Sequence, residues 1–395
     1  MTFQLTEEQR AIRQAVREFG ENEIAPVARE HDAEKRYPHE IVQKAAALDL
    51  VGPDIPEAYG GAGMDTLTTA LVTEELWRAD PGIGSAVGSR GFGSKMLEAY
   101  GDEWMKERWL TRIAAGESAC ASAISEPGHG SNVAGIETTA EKREGRSAAE
   151  QSGAAAEKDG DEWVINGTKT WITNGTVADV VIVMAKTDPG AGRKGISAFL
   201  VPTDTEGFEA EKIDNKLGIR ASDLAELFLD DVRVPAENLI GTENEGFYQL
   251  MEFFADGRVS VAAQAVGAAQ AALDAALDYA GEREQFGQPI GEFQAVSHKL
   301  AEMATVIEAA RSLVYRAATH VEDGEREAAM RFASMAKLFA SERAVEVADD
   351  AVQVHGGAGF VSDYPVERYY RDARITKIYE GTSEIQKEVI ADNLG

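Results

Sequence analysis

Apolar residues recur at helical spacing from the start of the chain. Thr6 and Gln9 have capping-box spacing, and Ile12, Val16 and Phe19 follow on one face, which predicts a helix there. Helical patterning continues to about residue 116 through LTTALVTEELWRAD and EWMKERWLTRIAAG, broken by the Gly/Pro-rich VGPDIPEAYGGAGMD. Between about 118 and 232 the period shortens, and EWVI, TKTWIT, DVVIVMAK, GISAFLVP and LAELFLDDVRV read as strands. The Asn166-Gly167 pair reads as a hairpin turn. Strands at this spacing with no helices between them predict an antiparallel sandwich or barrel. The small, polar segment 143–160 reads as a loop exposed to solvent. Beyond about 233, Phe293, Val296, Leu300, Met303, Ile307, Ala310 and Val314 alternate spacings of three and four, as a bundle helix does. Segments 258–280 and 326–354 share that character, and their many alanines favour close packing. The expected fold is therefore α+β: a helical domain over 1–117, a middle antiparallel β domain over 118–232 and a C-terminal helical bundle over 233–395.

Charge narrows what such a protein could do. With 39 basic and 68 acidic residues the chain carries −29, which opposes binding to nucleic-acid phosphates or an anionic lipid surface. A surface this acidic suits concentrated salt, where screening removes self-repulsion, and a halophilic source is the expectation. Cys120 is the only cysteine, so neither an intrachain disulfide nor a thiolate metal cluster can form. The first residues lack an apolar signal core, and no apolar run elsewhere is long enough to span a bilayer. Together these point to the reducing cytoplasm, without membrane or metal.

Several common chemistries are absent from the sequence. It has no G-x-x-x-x-G-K-[ST], no C-x-x-C, no H-E-x-x-H and no G-x-S-x-G. Two glycine-rich stretches remain of interest. In AISEPGHGSNVAG, Gly128, Gly130 and Ser131 let backbone N–H groups approach an anion, although such a turn is more often structural than ligand-binding. In TKTWITNG, Trp171 and Thr173 fall on one strand face, where an indole could shield a planar ring and a hydroxyl could donate to it; a core Trp beside a solvated Thr is the plainer reading. In IYEGTSEIQ, Glu380 precedes a helix start marked by Thr382 or Ser383, with Gln386 placed to complete a capping box. Glu380 there could complement the helix dipole or act as a general base beside a ligand.

These segments, with KLGIRASDLAELFLDDVRVP, REQFGQPIGEFQ and QVHGGAGFVSDYPVERYYRDARI, give the chain a resemblance along nearly its whole length to the acyl-CoA dehydrogenases. That family introduces a trans double bond between Cα and Cβ of an acyl-CoA thioester. The resemblance implies the three-domain fold ending in a C-terminal four-helix bundle, a homotetramer, FAD lying between domains and subunits, and an electron-transferring flavoprotein as acceptor. It implies that Glu380 removes the pro-R α-proton while the β-hydrogen leaves as hydride to flavin N5, with the Glu380 N–H and a flavin ribityl hydroxyl as the oxyanion site. By motif position, Ser125, Gly130 and Ser131 would approach the flavin and its pyrophosphate, and Trp171 and Thr173 its ring. Arg283, Phe286, Gln294, Gln353, Gly356 and Gly357 would reach FAD from a neighbouring subunit. Thr382 and Glu384 match FAD contacts after the catalytic loop, Ser131 and Arg258 would lie near CoA, and Tyr379 and Gly381 would flank the thioester. Arg258 reads equally well as an ion pair at a helix start.

The chain departs from the family pattern at His129, Asn132, Ala255 and Leu224, and in a long acidic insertion before DGDEW. At Ala255 an aspartate is frequent, and Asp256 is the available substitute. The expected reaction is dehydrogenation of a short- or medium-chain acyl-CoA to the trans-2-enoyl-CoA. Alternatives are a branched-chain or glutaryl-type dehydrogenase, an acyl-CoA oxidase, and a non-catalytic flavin-binding protein of the same fold.

Overall fold

A computed structural model describes residues 5–144 and 161–394; the acidic insertion expected to be a loop lies largely outside them. The first helix, Glu7–Phe19, starts as the spacing predicts: Gln9 N donates to Thr6 Oγ1 and Thr6 N to Gln9 Oε1, both at 3.1 Å. Its successors include Thr66–Ala79, where Asp65 accepts from Thr68 N, and Pro81–Gly88, where Asp80 accepts from Ile83 N. Thr66–Ala79 packs against the long helix Gly246–Glu282. A Cβ at Gly267 would lie 2.3 Å from the Glu74 carbonyl oxygen, so this crossing needs glycine.

The middle of the chain folds as one sheet. Its strands are β1 Cys120–Ala123, β2 Thr139–Glu144, β3 Asp161–Thr173, β4 Val180–Lys186, β5 Ile196–Pro202, β6 Phe208–Lys212, β7 Leu224–Pro235 and β8 Leu239–Ile240. The order is β6-β7-β3-β2-β4-β5-β8, with β1 also on β4. Most pairings are antiparallel as expected, but β1 and β2 both run parallel to β4, through Cys120↔Val180 to Ala123↔Val183 and then Thr139↔Lys186. The sheet is mixed because β1 and β2 are two pieces of one interior position beside β4, interrupted by the loop 124–138.

Asn166-Gly167 is no hairpin turn. It sits inside the 13-residue β3 at a register shift against β7. There Asn166 Oδ1 accepts from Asp231 N and Asn166 Nδ2 donates to Asp231 Oδ1, bonds that favour a bulge over a reversal.

The C-terminal part has three long helices, Gly246–Glu282, Gln294–Glu322 and Arg326–His355. The fourth position is divided between Val366–Ala373 and Ser383–Asp392. Leu300, Met303, Ile307, Ala310 and Val314 are buried as their spacing predicts, in a core dominated by alanine. Several polar clasps join this domain to the others, two of them through the helix Val366–Ala373. Arg368 Nε donates to Asp80 Oδ2 at 2.9 Å, and Ile219 N donates to Asp372 Oδ1.

Candidate active site

Glu380 occupies the turn that leads into Ser383–Asp392. Both Glu380 and Gly381 are left-handed, with φ of 53° and 90°. Thr382 caps the helix, which makes Ile385 the third helical residue and leaves Gln386 one position too late for a capping box. Gln386 instead turns back, its Nε2 donating to the carbonyls of Glu380 at 3.1 Å and Gly381 at 2.9 Å. Beneath the turn, Lys337 Nζ donates to the same Gly381 carbonyl at 2.6 Å.

The Glu380 side chain reaches the long helix at Gly257, where a Cβ would lie 2.9 Å from Oε2. Next to Gly257, Arg258 donates to Ser334 Oγ at 3.2 Å and touches the Met330 sulfur, while its Nε has no partner among the described residues. Arg258 is therefore not an ion pair at a helix start: the helix begins at Gly246, and Arg258 lies buried in its interior. Asp256 is engaged by Lys95 at 2.5 Å. Burial pushes the Glu380 carboxyl above its ordinary value, and the charges of Arg258 and Lys337 offset this only in part. Burial likewise lowers Lys337 to about 8 and Arg258 to about 10, against the opposing pull of Glu380. Tyr379 is raised by burial and then by Glu380, and its hydroxyl donates to Gln264 Oε1.

The second group of expected residues lies on the sheet. Ser125 follows β1, and its carbonyl accepts from Thr170 N of β3 at 2.9 Å. Ser131 and Gly130 are exposed, and a Cβ at Gly128 or Gly130 would meet nothing within 4 Å, so this turn presents an open backbone surface. Trp171 is 63 % exposed at φ 61°, projected outward by a second irregularity in β3, with Thr173 half-buried two residues on.

The loop is held from below. The Glu126 carboxylate accepts from Glu137 N, Thr138 N, Thr138 Oγ1 and Lys169 Nζ, the last at 2.8 Å, and Lys169 also donates to the Ile124 carbonyl.

A third group is remote. Arg283, Phe286, Gln294, Gln353, Gly356 and Gly357 are all exposed at the far end of the bundle, Phe286 at 94 %. Arg283 follows Arg258 by 25 positions of nearly continuous helix, or roughly 38 Å at 1.5 Å per residue. Thr382 and Glu384 stay beside Glu380; Thr382 is half-buried and Glu384 is exposed. The structure thus brings together Arg258, Tyr379, Glu380, Gly381 and Thr382, sets Ser125, Gly130, Ser131, Trp171 and Thr173 on the sheet, and leaves the bundle-end set apart.

Family models for the N-terminal, middle and C-terminal domains of acyl-CoA dehydrogenase match residues 6–117, 121–232 and 244–395. The chain belongs to the acyl-CoA dehydrogenase family. It is 44 % identical to a probable acyl-CoA dehydrogenase of Bacillus subtilis over 396 residues, covering all of both chains. It is 42 % identical to the mitochondrial short-chain specific acyl-CoA dehydrogenase of Sus scrofa, covering all of this chain and 91 % of that one. It superimposes on butyryl-CoA dehydrogenase from Megasphaera elsdenii with a TM-score of 0.91 at 39 % identity, covering all of both. An acyl-CoA dehydrogenase is an oxidoreductase, and the family's cofactor is FAD.

The acyl-CoA dehydrogenase residues present here suit that cofactor. The turn at Gly128 and Gly130 leaves room for an anionic group to meet backbone N–H donors, and the outward Trp171 offers an indole face to a planar ring.

Sequence reasoning did not find Gly257, Lys337, Lys169 or Glu126, and it gave Gln386 a capping role in place of its bonds to the Glu380 and Gly381 carbonyls. Lys337 had a legible signal, since it stands on the apolar stripe of Ala333, Ala336, Ala340 and Ala344.

Proposed function

We propose that this protein dehydrogenates a short- or medium-chain acyl-CoA to the trans-2-enoyl-CoA, with Glu380 as the base that takes the α-proton. The observation that carries this reading is the Glu380 carboxyl itself. It is pushed above its ordinary value by burial, bonded to no cation among the described residues, and held at Gly257 by a turn whose carbonyls are tied down. A base with a raised pKa binds the abstracted proton more firmly, as α-proton removal from a thioester demands. Bound FAD supplies the hydride acceptor.

Glu380 takes the proton at its carboxylate, and its N–H is assigned to the thioester oxygen as charge develops there. Tyr379 and Gly381 flank the thioester, with Arg258 and Ser131 toward CoA. Ser125, Gly130, Ser131, Trp171, Thr173, Thr382 and Glu384 are assigned to the FAD of their own subunit. Arg283, Phe286, Gln294, Gln353, Gly356 and Gly357 are assigned to that of a neighbour in a homotetramer. The distance along the helix from Arg258 and the exposure of Phe286 support this division. The short-chain and butyryl-CoA relatives favour a short acyl chain.

Electron-transferring flavoprotein is the acceptor we propose, in the cytoplasm of a halophile. The lone cysteine and the charge of −29 support that setting. Among the described residues no helix is long and apolar enough to cross a membrane.

Anaerobic titration with butyryl-CoA and then octanoyl-CoA tests the reaction. Bleaching of the flavin band is expected, more completely with butyryl-CoA, and bleaching by neither removes the straight-chain assignment. Oxygen consumption in place of transfer to the flavoprotein would make it an oxidase. Sedimentation reports the oligomer, and thermal stability that fails to rise toward molar KCl removes the halophile.

A further inference from the structure

Lys337 is wholly buried at the middle of the helix Arg326–His355, yet it has no carboxylate within bonding distance among the described residues. Its one hydrogen bond is to a backbone carbonyl, that of Gly381. A buried ammonium bonded only to a carbonyl is costly, so a structure that keeps one gains something elsewhere. What surrounds it shows where. The charged groups facing Lys337 are Glu380 from the turn, Arg258 from the long helix, Glu342 from its own helix and Glu384 from the last helix. Glu342 is already occupied by Lys377 and by Ser383 Oγ, and Glu384 is exposed. The remaining anion is Glu380.

We propose that Lys337 is a positioning residue for the base: its ammonium clamps the Gly381 carbonyl, and through it the left-handed Glu380–Gly381 turn, so that the Glu380 carboxyl stays seated at Gly257. The inference rests on the reading of Glu380 as the base. Gln386 donates to that same Gly381 carbonyl and to the Glu380 carbonyl as well, so the turn is pinned by two donors from two helices. Only one of the two carries charge. Lys337 therefore does one thing that Gln386 cannot: besides fixing the turn, it adds a positive potential that keeps the Glu380 proton affinity from rising further.

Lys337→Met retains the aliphatic volume and removes donor and charge together. With FAD-loaded enzyme and butyryl-CoA, kcat is expected to fall by about tenfold or more, on the scale of a small misplacement of a reacting group. KM should change much less. The acidic limb of the kcat–pH profile should move to higher pH, because loss of a facing cation raises a carboxyl pKa. Lys337→Arg should recover part of kcat and return the limb toward its original position.

An unmoved limb with wild-type kcat in Lys337→Met overturns the proposal, as does a lower folded yield with normal kinetics per bound flavin, which is what a merely structural lysine gives. Should Lys337→Met fail to fold, Lys337→Gln takes its place, keeping a donor without charge; it must still shift the limb, and an unshifted limb refutes the charge role. Glu380→Gln run in parallel separates the two readings. If it retains turnover, the base assignment is wrong. If it is dead while Lys337→Met is normal, only the positioning role is lost.

Discussion

Two buried lysines stand near two glutamates in this molecule, and they end up doing opposite things. In the sheet, Lys169 bonds Glu126 directly, and three further donors complete the carboxylate. Burial alone would raise the Glu126 pKa, but Lys169 and those donors hold it below its ordinary value. In the bundle, Lys337 bonds a backbone carbonyl and leaves the Glu380 carboxyl without a cation in contact, and there burial wins. A carboxylate saturated with donors has no capacity left for a proton, and it serves as a brace. One surrounded by charge but not bonded to it is available to react. Which of the two a glutamate becomes depends here on whether the lysine donates to its carboxylate or to a backbone carbonyl beside it.

Exchanging the partners of either pair should break this contrast. The largest effect is expected from Glu380→Gln, which removes the base: turnover and α-proton exchange should fall by about 10²–10⁴-fold or to background, with FAD still bound, as absorbance and solvent-deuterium exchange will show. On the brace side, Lys169→Met leaves Glu126 buried with no counter-charge and should destabilise the protein by about 3–5 kcal/mol, read by urea unfolding, with weakened retention of FAD. Glu126→Gln combined with it should restore part of that loss, because no buried charge then remains.

Finer changes sharpen the same contrast. Gly257→Ala places a methyl against Glu380 Oε2, and kcat should drop by about tenfold with stability little changed. A third carboxyl, Asp372, supplies the smallest effect. Burial, then the nearby Asp80, pushes it up to about 8, and its Oδ2 has no partner. A group whose folded pKa exceeds its unfolded value contributes stability that is complete below the usual carboxylate range and is lost as pH rises through about 8. Asp372→Asn should remove that decline from a plot of unfolding free energy against pH.

Local patterns in the sequence carried the architecture well. The Thr6 cap, the bundle stripe from Leu300 to Val314 and the strand runs all act over a few residues, and the folded chain keeps them. Alternation failed within β3. Lys169 and Trp171 share a parity, yet one is wholly buried and the other 63 % exposed, because Trp171 is left-handed and the register slips between Lys169 and Ile172. Asn166-Gly167 misleads for a similar reason, its side-chain bonds to Asp231 being made 65 positions away. The site was legible only as motifs. Glu380 could be singled out from 68 acidic residues by its IYEGT context, but Gly257 and Lys337 meet it across 123 and 43 positions of chain, and no local rule links them.

The break between β1 and β2, inside the sheet beside β4, makes the Ser125–Ser131 loop a replaceable part. Its two ends are fixed to neighbouring points on β4, at Val183 and Lys186, about 10 Å apart along the strand. The exposed residues between those anchors can change in length or composition without asking β4 to re-register, as long as the Ser125 carbonyl keeps its bond to Thr170 N. A relative's loop transplanted between Ala123 and Thr139 would find the same two attachment points, provided it brings a carboxylate for Lys169. Cofactor-facing chemistry and sheet folding are in that sense separately editable.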